Sequence, residues 1–316
     1  MNPSPHYSVA GLSRRSFLVR TGLASAGLAV GSQSGVLSNA AEGLVQPIVI
    51  FTKAYQPLKL SPDESAAITA EAGLDGVDIP VRPDGEIVPE RVTDDLPAYA
   101  EQLRKRNLRM PLVTTAITSP ASPHAEALLR AAKDAGVKFY RLGFIFREPD
   151  ASWGKQLQEI KAQLKDLAAL NKQIGIGAIM QNHSPSGRTY VGGNLDELSD
   201  IVGQFDPAEI GVAFDIGHAL VVHGDGWHSR FEKLKSHLQI AYVKDVTRSG
   251  QWVKFGQGDI GDTGYFKLLK QISYHAPISM HIEYEWSPKG QPQTRPGLLK
   301  VLKENLTVLK GWLAEG

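Results

Sequence analysis

Cysteine is missing altogether from the 316 residues. Without a thiol there is no disulfide framework and no thiolate metal site, so any metal would rest on carboxylate, amide and imidazole ligands of the kind that suit Mn, Mg, Zn or Co. An excess of one charge is missing as well, since 34 Lys and Arg stand against 33 Asp and Glu, a formal net charge of +1. Such a balance carries no global field to hold a nucleic acid backbone, so nucleic acid is not an expected partner. No Gly-x-Gly-x-x-Gly turn follows the first candidate strand, which argues against an open dinucleotide-type sheet. Low-complexity runs and long linkers are also absent, and the 42% hydrophobic and 21% charged residues that remain suit one large globular domain.

Near the start, Ser13-Arg14-Arg15-Ser16-Phe17-Leu18 precedes a weakly apolar, Gly- and Ala-rich run from Thr21 to Val30, and small residues follow at Ser38-Asn39-Ala40-Ala41. This order of basic, apolar and small-residue regions predicts a twin-arginine type signal peptide over residues 1–40, cleaved near Ala40. The run is too short and too glycine-rich to span a bilayer, which takes about 20 apolar residues. The expectation is an exported, periplasmic protein with no membrane contact once the signal is gone.

From residue 48 onward, short apolar runs alternate with amphipathic ones. Strands are predicted over Ile48 to Lys53, Gly76 to Val81, Met110 to Ile117, Lys138 to Phe144, Gly175 to His183, Ile210 to His218, Gln239 to Val246 and Ile278 to Glu285. Each is nearly continuous in apolar residues rather than alternating, as strands covered on both faces are. Between them lie helix signals. Ser61-Pro62 with Glu64 reads as a capping box that Gly73 later ends, and Ser122-Pro123 repeats the device ahead of a helix from His124 to Ala135. Eight βα units in series over residues 48–316 make a single-domain (β/α)8 TIM barrel the simplest architecture.

In such a barrel, polar residues at the C-terminal ends of the strands converge on one mouth. In chain order they are Lys53, Arg82, Thr114 with Thr115, Arg141, Gln181 with His183, Asp215 with His218, Lys244 with Asp245, and Glu283 with Glu285. An Asp after a strand is also a common helix cap, and Gln181-Asn182-His183 suits loop anchoring as well as ligation. Glu283, on an apolar run, needs a cation nearby, and spacing leaves a metal, Lys244 and Arg141 all open for that role. Gly256-Gln257-Gly258 reads as a turn whose backbone amides could also cradle an anion.

Phe214-Asp215-Ile216-Gly217-His218, Tyr242-Val243-Lys244-Asp245, Gly256-Gln257-Gly258-Asp259-Ile260 and Glu283-Tyr284-Glu285 together resemble the xylose isomerase-like TIM barrels, the sugar phosphate isomerase/epimerase superfamily. The resemblance implies a divalent metal held by Glu, Asp, His and Glu on the last four strands. Carried over by motif, those positions are Gln181, Asp215, Tyr242 and Glu283, so two of the four depart from the pattern. An amide cannot remove a proton, which puts two-glutamate epimerisation in doubt.

The resulting expectation is a carbohydrate isomerase or lyase that abstracts a proton next to a sugar carbonyl, with Asp215, Glu283 and Gln181 on a metal. His218 or His183 would serve as base or proton donor, and Lys244 would stabilise the enediolate oxygen. Lys53, Arg82, Arg141, Asp245 and Glu285 are the expected substrate contacts. A small carbohydrate is the expected partner, and a homo-oligomer is left open. A carbohydrate-binding barrel that has lost catalysis is the alternative; an abasic-site endonuclease fits the barrel but not the near-neutral charge or the signal.

Overall fold

The protein is represented by a computed structural model, in which residues 46–316 are described; the segment expected to be a signal peptide lies outside the described residues. Strands β1 (Ile48–Phe51), β2 (Gly76–Val81), β3 (Arg109–Thr115), β4 (Phe139–Arg141), β5 (Gly177–Gln181), β6 (Ile210–Asp215) and β7 (Leu238–Val243) come first, then a short pair, β8 (Asp245–Val246) and β9 (Trp252–Val253), and finally β10 (Ile278–Met280). All but β8 and β9 close into a parallel barrel in which β1 pairs with both β2 and β10. The (β/α)8 expectation is met.

Helices α1 (Pro62–Ala72), α2 (Val92–Arg104), α3 (Ala125–Asp134), α4 (Trp153–Ile174), α5 (Leu195–Val202), α6 (Ile216–His223), α7 (Trp227–Leu234), α8 (Tyr265–Gln271) and α9 (Arg295–Glu315) wrap the barrel. Their inner faces meet the outward side chains of the strands in one large apolar layer that includes Ile50, Val77, Leu128, Leu164, Phe214 and Leu302. A second cluster fills the barrel interior with Val49, Leu112, Ile179, Ala213, Ile240 and Tyr242. This division explains the continuous apolar runs, because side chains alternate faces along a strand and both faces here are buried.

Sequence signals at α1 hold in full. Ser61 accepts from the Glu64 N–H, Glu64 answers to the Ser61 N–H, and Gly73 closes the helix at φ 80°. At α3 they do not. Ser122 Oγ accepts from the N–H groups of Thr118 and Ser119, so it stabilises the preceding turn, and the helix begins only at Ala125 after His124 in a left-handed conformation.

A second difference shapes the site. The run predicted as strand to His218 stops at Asp215, and α6 starts at the next residue. Asp215 Oδ1 accepts from the His218 N–H, so the carboxylate that ends the strand also caps the helix. A Cβ at Gly217 would approach Lys244 Cγ to 2.8 Å and Trp252 to 3.0 Å, so only glycine lets α6 lie this close to the end of β7.

Candidate active site

The inward positions alternate along each strand. On β7 and its extension they are Ile240, Tyr242 and Lys244; on β5, Ile179 and Gln181; on β6, Ala213 and Asp215. The apolar members form the interior plug, and the next inward residue toward the C-terminal ends is polar. One cavity of about 70 Å³ opens there, lined by Phe51, Lys53, Arg82, Thr114, Arg141, Phe144, Gln181, His183, Lys244, His281 and Glu283.

Lys244 is the hub of this group. Its ammonium lies 3.1 Å from Asp215 Oδ2, 3.0 Å from His218 Nε2 and 3.7 Å from Glu283 Oε1, and the Lys244 side chain is 3% exposed. Asp215 is buried behind it and also receives the Gln181 side-chain N–H at 2.8 Å. A buried carboxylate with a cation and two further donors is compensated on every side, as burial of a charge demands. Because an ammonium only donates, His218 Nε2 accepts, which leaves Nδ1 to donate to Ser184 Oγ at 2.8 Å. Burial and the adjacent Lys244 push the His218 imidazole well below its ordinary value, so it is neutral and fully engaged.

His183 packs on His218 with 3.7 Å between centroids and the ring planes tilted by 39°, and Tyr190 packs on it in turn. Its Nδ1 is 2.7 Å from the Ser184 carbonyl, an acceptor only, so Nδ1 carries the proton and Nε2 is unprotonated. Burial, with Lys244 beside it, lowers His183 to about 4. Glu283 is held well below the usual carboxylate range: burial alone would raise it, but Lys244, then the His281 imidazole 3.8 Å away and Lys53 at 3.0 Å, override that. The cation that Glu283 requires is therefore supplied by the two lysines.

Three participants carry no motif and were not singled out in the sequence. His281 stacks on Phe51 at 4.7 Å, approaches Ser279 Oγ to 3.2 Å, and stops 3.8 Å short of Glu283. Asp78 lies beneath, accepting from Thr114 at 2.8 Å and Ser279 at 3.2 Å, its carboxyl pushed up by burial. Phe144 supports the Arg141 guanidinium, whose carbon lies 4.4 Å from the ring centre. His281 is two residues before Glu283, so inward alternation is the one signal that could have found it.

Two expected contacts stand apart. Asp245 points away from the cavity and gathers four backbone N–H groups, from Gly256, Gly258, Val246 and Ile260, at 2.8 to 3.2 Å. The glycine turn does cradle an anion, and that anion is the protein's own. Glu285 is exposed, accepts from Ser287, and borders a separate surface groove with Trp252 and Trp286.

The family model for xylose isomerase-like TIM barrels matches residues 66–309. The chain belongs to this family. Structures similar to it include D-psicose 3-epimerase from Clostridium cellulolyticum (12% identity, 85% of this chain and 99% of that one, TM-score 0.65) and 3-keto-D-glucoside 4-epimerase from E. coli (13%, 84% and 100%, 0.66). A candidate 3-DHS dehydratase of petrobactin synthesis from Bacillus anthracis is comparably similar (14%, 84% and 99%, 0.64). An uncharacterised protein of Methanocaldococcus jannaschii is 28% identical over 137 residues, 40% of this chain and 45% of that relative, so the match spans less than half of the relative's length.

The site differs from what a xylose isomerase-like metal centre would need. The two carboxylates expected to face a divalent ion have the Lys244 ammonium between them, and Gln181 turns its N–H to Asp215. Tyr242, at the motif position of the expected histidine, is fully buried, and its hydroxyl has no hydrogen-bond partner among the described residues. Among the described residues no three His, Asp or Glu side chains converge as ligands. This donor set, with a fixed positive charge at its centre, does not fit a divalent ion.

Proposed function

We propose that the protein is a carbohydrate isomerase or lyase that moves a proton next to a sugar carbonyl, using the Lys244 ammonium as its resident positive charge. The observation that carries this reading is the position of Lys244 between Asp215, His218 and Glu283, at the floor of a cavity whose other walls are hydrogen-bonding side chains and two aromatic rings. The Glu283 carboxylate takes the proton from the carbon beside the carbonyl, and the electron pair moves to the carbonyl oxygen to form an enediolate. Lys244 and Lys53 stand where that charge develops. In an isomerisation the proton returns to the former carbonyl carbon while the hydroxyl proton passes between the two enediolate oxygens, and in an elimination the intermediate expels a β-substituent that leaves with the proton Glu283 has taken. Asp215, held by Gln181 and capping α6, keeps Lys244 in place. The metal-assisted form of this chemistry has less support, because its expected ligands are engaged with one another and with Lys244.

The test is solvent exchange. Incubated in deuterium oxide with keto-hexoses and 3-keto-glucosides, the wild type is expected to wash deuterium into a carbon adjacent to the carbonyl, and EDTA to leave the rate unchanged. Glu283→Gln is expected to abolish it. Exchange that is lost with EDTA and restored by a divalent ion would defeat the role given to Lys244.

A second reading, sugar binding without turnover, is favoured by the low basicity of both proton acceptors, since Glu283 is held ionised by Lys244, His281 and Lys53 and His183 is lowered to about 4. Sugar binding with no wash-in across the panel would establish it. Action in the periplasm is part of the proposal and rests on Arg14-Arg15 and the small-residue site at Ala40 alone. Retention of the full-length chain in the cytoplasm of its host would refute it.

A further inference from the structure

The charges that line the cavity do not cancel. Lys53 and Lys244 are matched by Glu283 and Asp215. Arg141 and Arg82 remain, and among the described residues neither guanidinium has a hydrogen-bond or ion-pair partner. Arg141 is 3% exposed and yet lines the cavity. Asp78, on β2, already accepts from Thr114 and Ser279, and burial favours its neutral form. Arg82 lines the same cavity, so the two guanidiniums face one small space; burial first, and then the Arg82 charge, lowers Arg141 to about 10. Phe144 holds Arg141 in position by packing against its face, which leaves its N–H edge for a ligand.

We infer that Arg141 and Arg82 form an anion subsite and that the substrate is an acidic sugar, a uronate or keto-sugar acid, whose carboxylate seats against these two guanidiniums. A buried guanidinium without a partner is costly unless the ligand completes it. Its planar fork of N–H donors matches the two coplanar oxygens of a carboxylate. The carboxylate would also orient the sugar, since one end anchored on β4 and the β2 rim leaves the other end toward Lys244 and Glu283 across the barrel.

This assignment rests on the sugar-directed reading above, and the experiment separates the two. Titration calorimetry of the whole chain compares D-glucuronate, D-galacturonate and 2-keto-D-gluconate with D-glucose, D-galactose and D-fructose, and with D-glucose 6-phosphate. At least one acid is expected to bind about tenfold or more tightly than its neutral counterpart, as a charge-assisted bidentate contact would give. Arg141→Met and, separately, the less buried Arg82→Gln are expected to reduce that preference to about threefold or less, with circular dichroism confirming that each variant is folded. Equal binding of neutral and acidic sugars, or a preference that survives in both folded variants, overturns the anion subsite and leaves the sugar reading standing. A preference for the sugar phosphate over every acid overturns the carboxylate assignment. Binding of no sugar of any kind overturns both.

Discussion

At the scale of single residues, Asp215 shows how one side chain serves two ends. One oxygen caps α6 through the His218 N–H, and the other meets Lys244 and Gln181. The sequence offered a helix cap and a ligand as alternatives for Asp215; the cap is what the structure shows, and the second oxygen turns to Lys244 and Gln181 because a strand-to-helix turn separates the directions of the two oxygens. Lys244 is the partner that makes this burial tolerable. Lys244→Met is expected to cost about 3–5 kcal/mol, the usual penalty for leaving a buried charge without its partner. Urea denaturation at pH 7 reads it, and the double variant Asp215→Asn, Lys244→Met should recover part of the loss. A single variant as stable as wild type would show that the ion pair does not form.

At the scale of elements, the segment after β7 was the least legible. Lys244-Asp245 reads in sequence as two site residues side by side, but neighbours in an extended chain face opposite ways. Lys244 therefore enters the barrel, and Asp245 turns outward to collect the N–H groups of the loop that follows β9. That loop stays close because a Cβ at Gly258 would collide with the Asp245 carboxylate. Asp245→Ala leaves four backbone donors without their acceptor, and at about 1–3 kcal/mol for each donor that stays buried the expected loss is at least about 3 kcal/mol. Hydrogen exchange should locate the effect, with faster exchange at Gly256, Gly258 and Ile260 and unchanged protection in β1 to β5. Protection lost uniformly across the barrel would contradict a local anchoring role.

At the scale of the whole molecule, stability should fall on mild acidification. His183 is lowered to about 4, and His218 is lowered well below its ordinary value, both chiefly by burial and then by Lys244. A histidine depressed in the folded state binds its proton sooner when unfolded. Its contribution is therefore complete above the ordinary value of 6.5 and is lost as pH falls through the folded value. Glu283, also depressed, adds a loss that begins nearer pH 4 and continues below it. Each histidine that protonates only on unfolding contributes a slope of about 1.4 kcal/mol per pH unit between these limits. Denaturation midpoints measured from pH 7 to 4.5 should decline, and His183→Gln should flatten the decline. A flat profile in the wild type would mean that the imidazoles are not buried neutral.

The barrel was legible from sequence because strands buried on both faces must be apolar throughout and because capping residues punctuate the helices between them. The convergence of Lys53, Arg141, Gln181, Asp215, Lys244 and Glu283 followed from the same alternation, since a parallel barrel sends every inward residue beyond the plug to one mouth. Which cation answers Glu283 was not legible, because spacing along the chain carries no information about reach across the barrel. Only the tertiary structure decided that Lys244 meets Asp215 and Glu283 together, that Asp245 serves a loop, and that Arg141 and Arg82 are left facing the cavity. Pattern determines which face of a strand a residue occupies. Pairing of charges between strands distant in sequence depends on the closure of the barrel, and that closure exists only once the chain has folded.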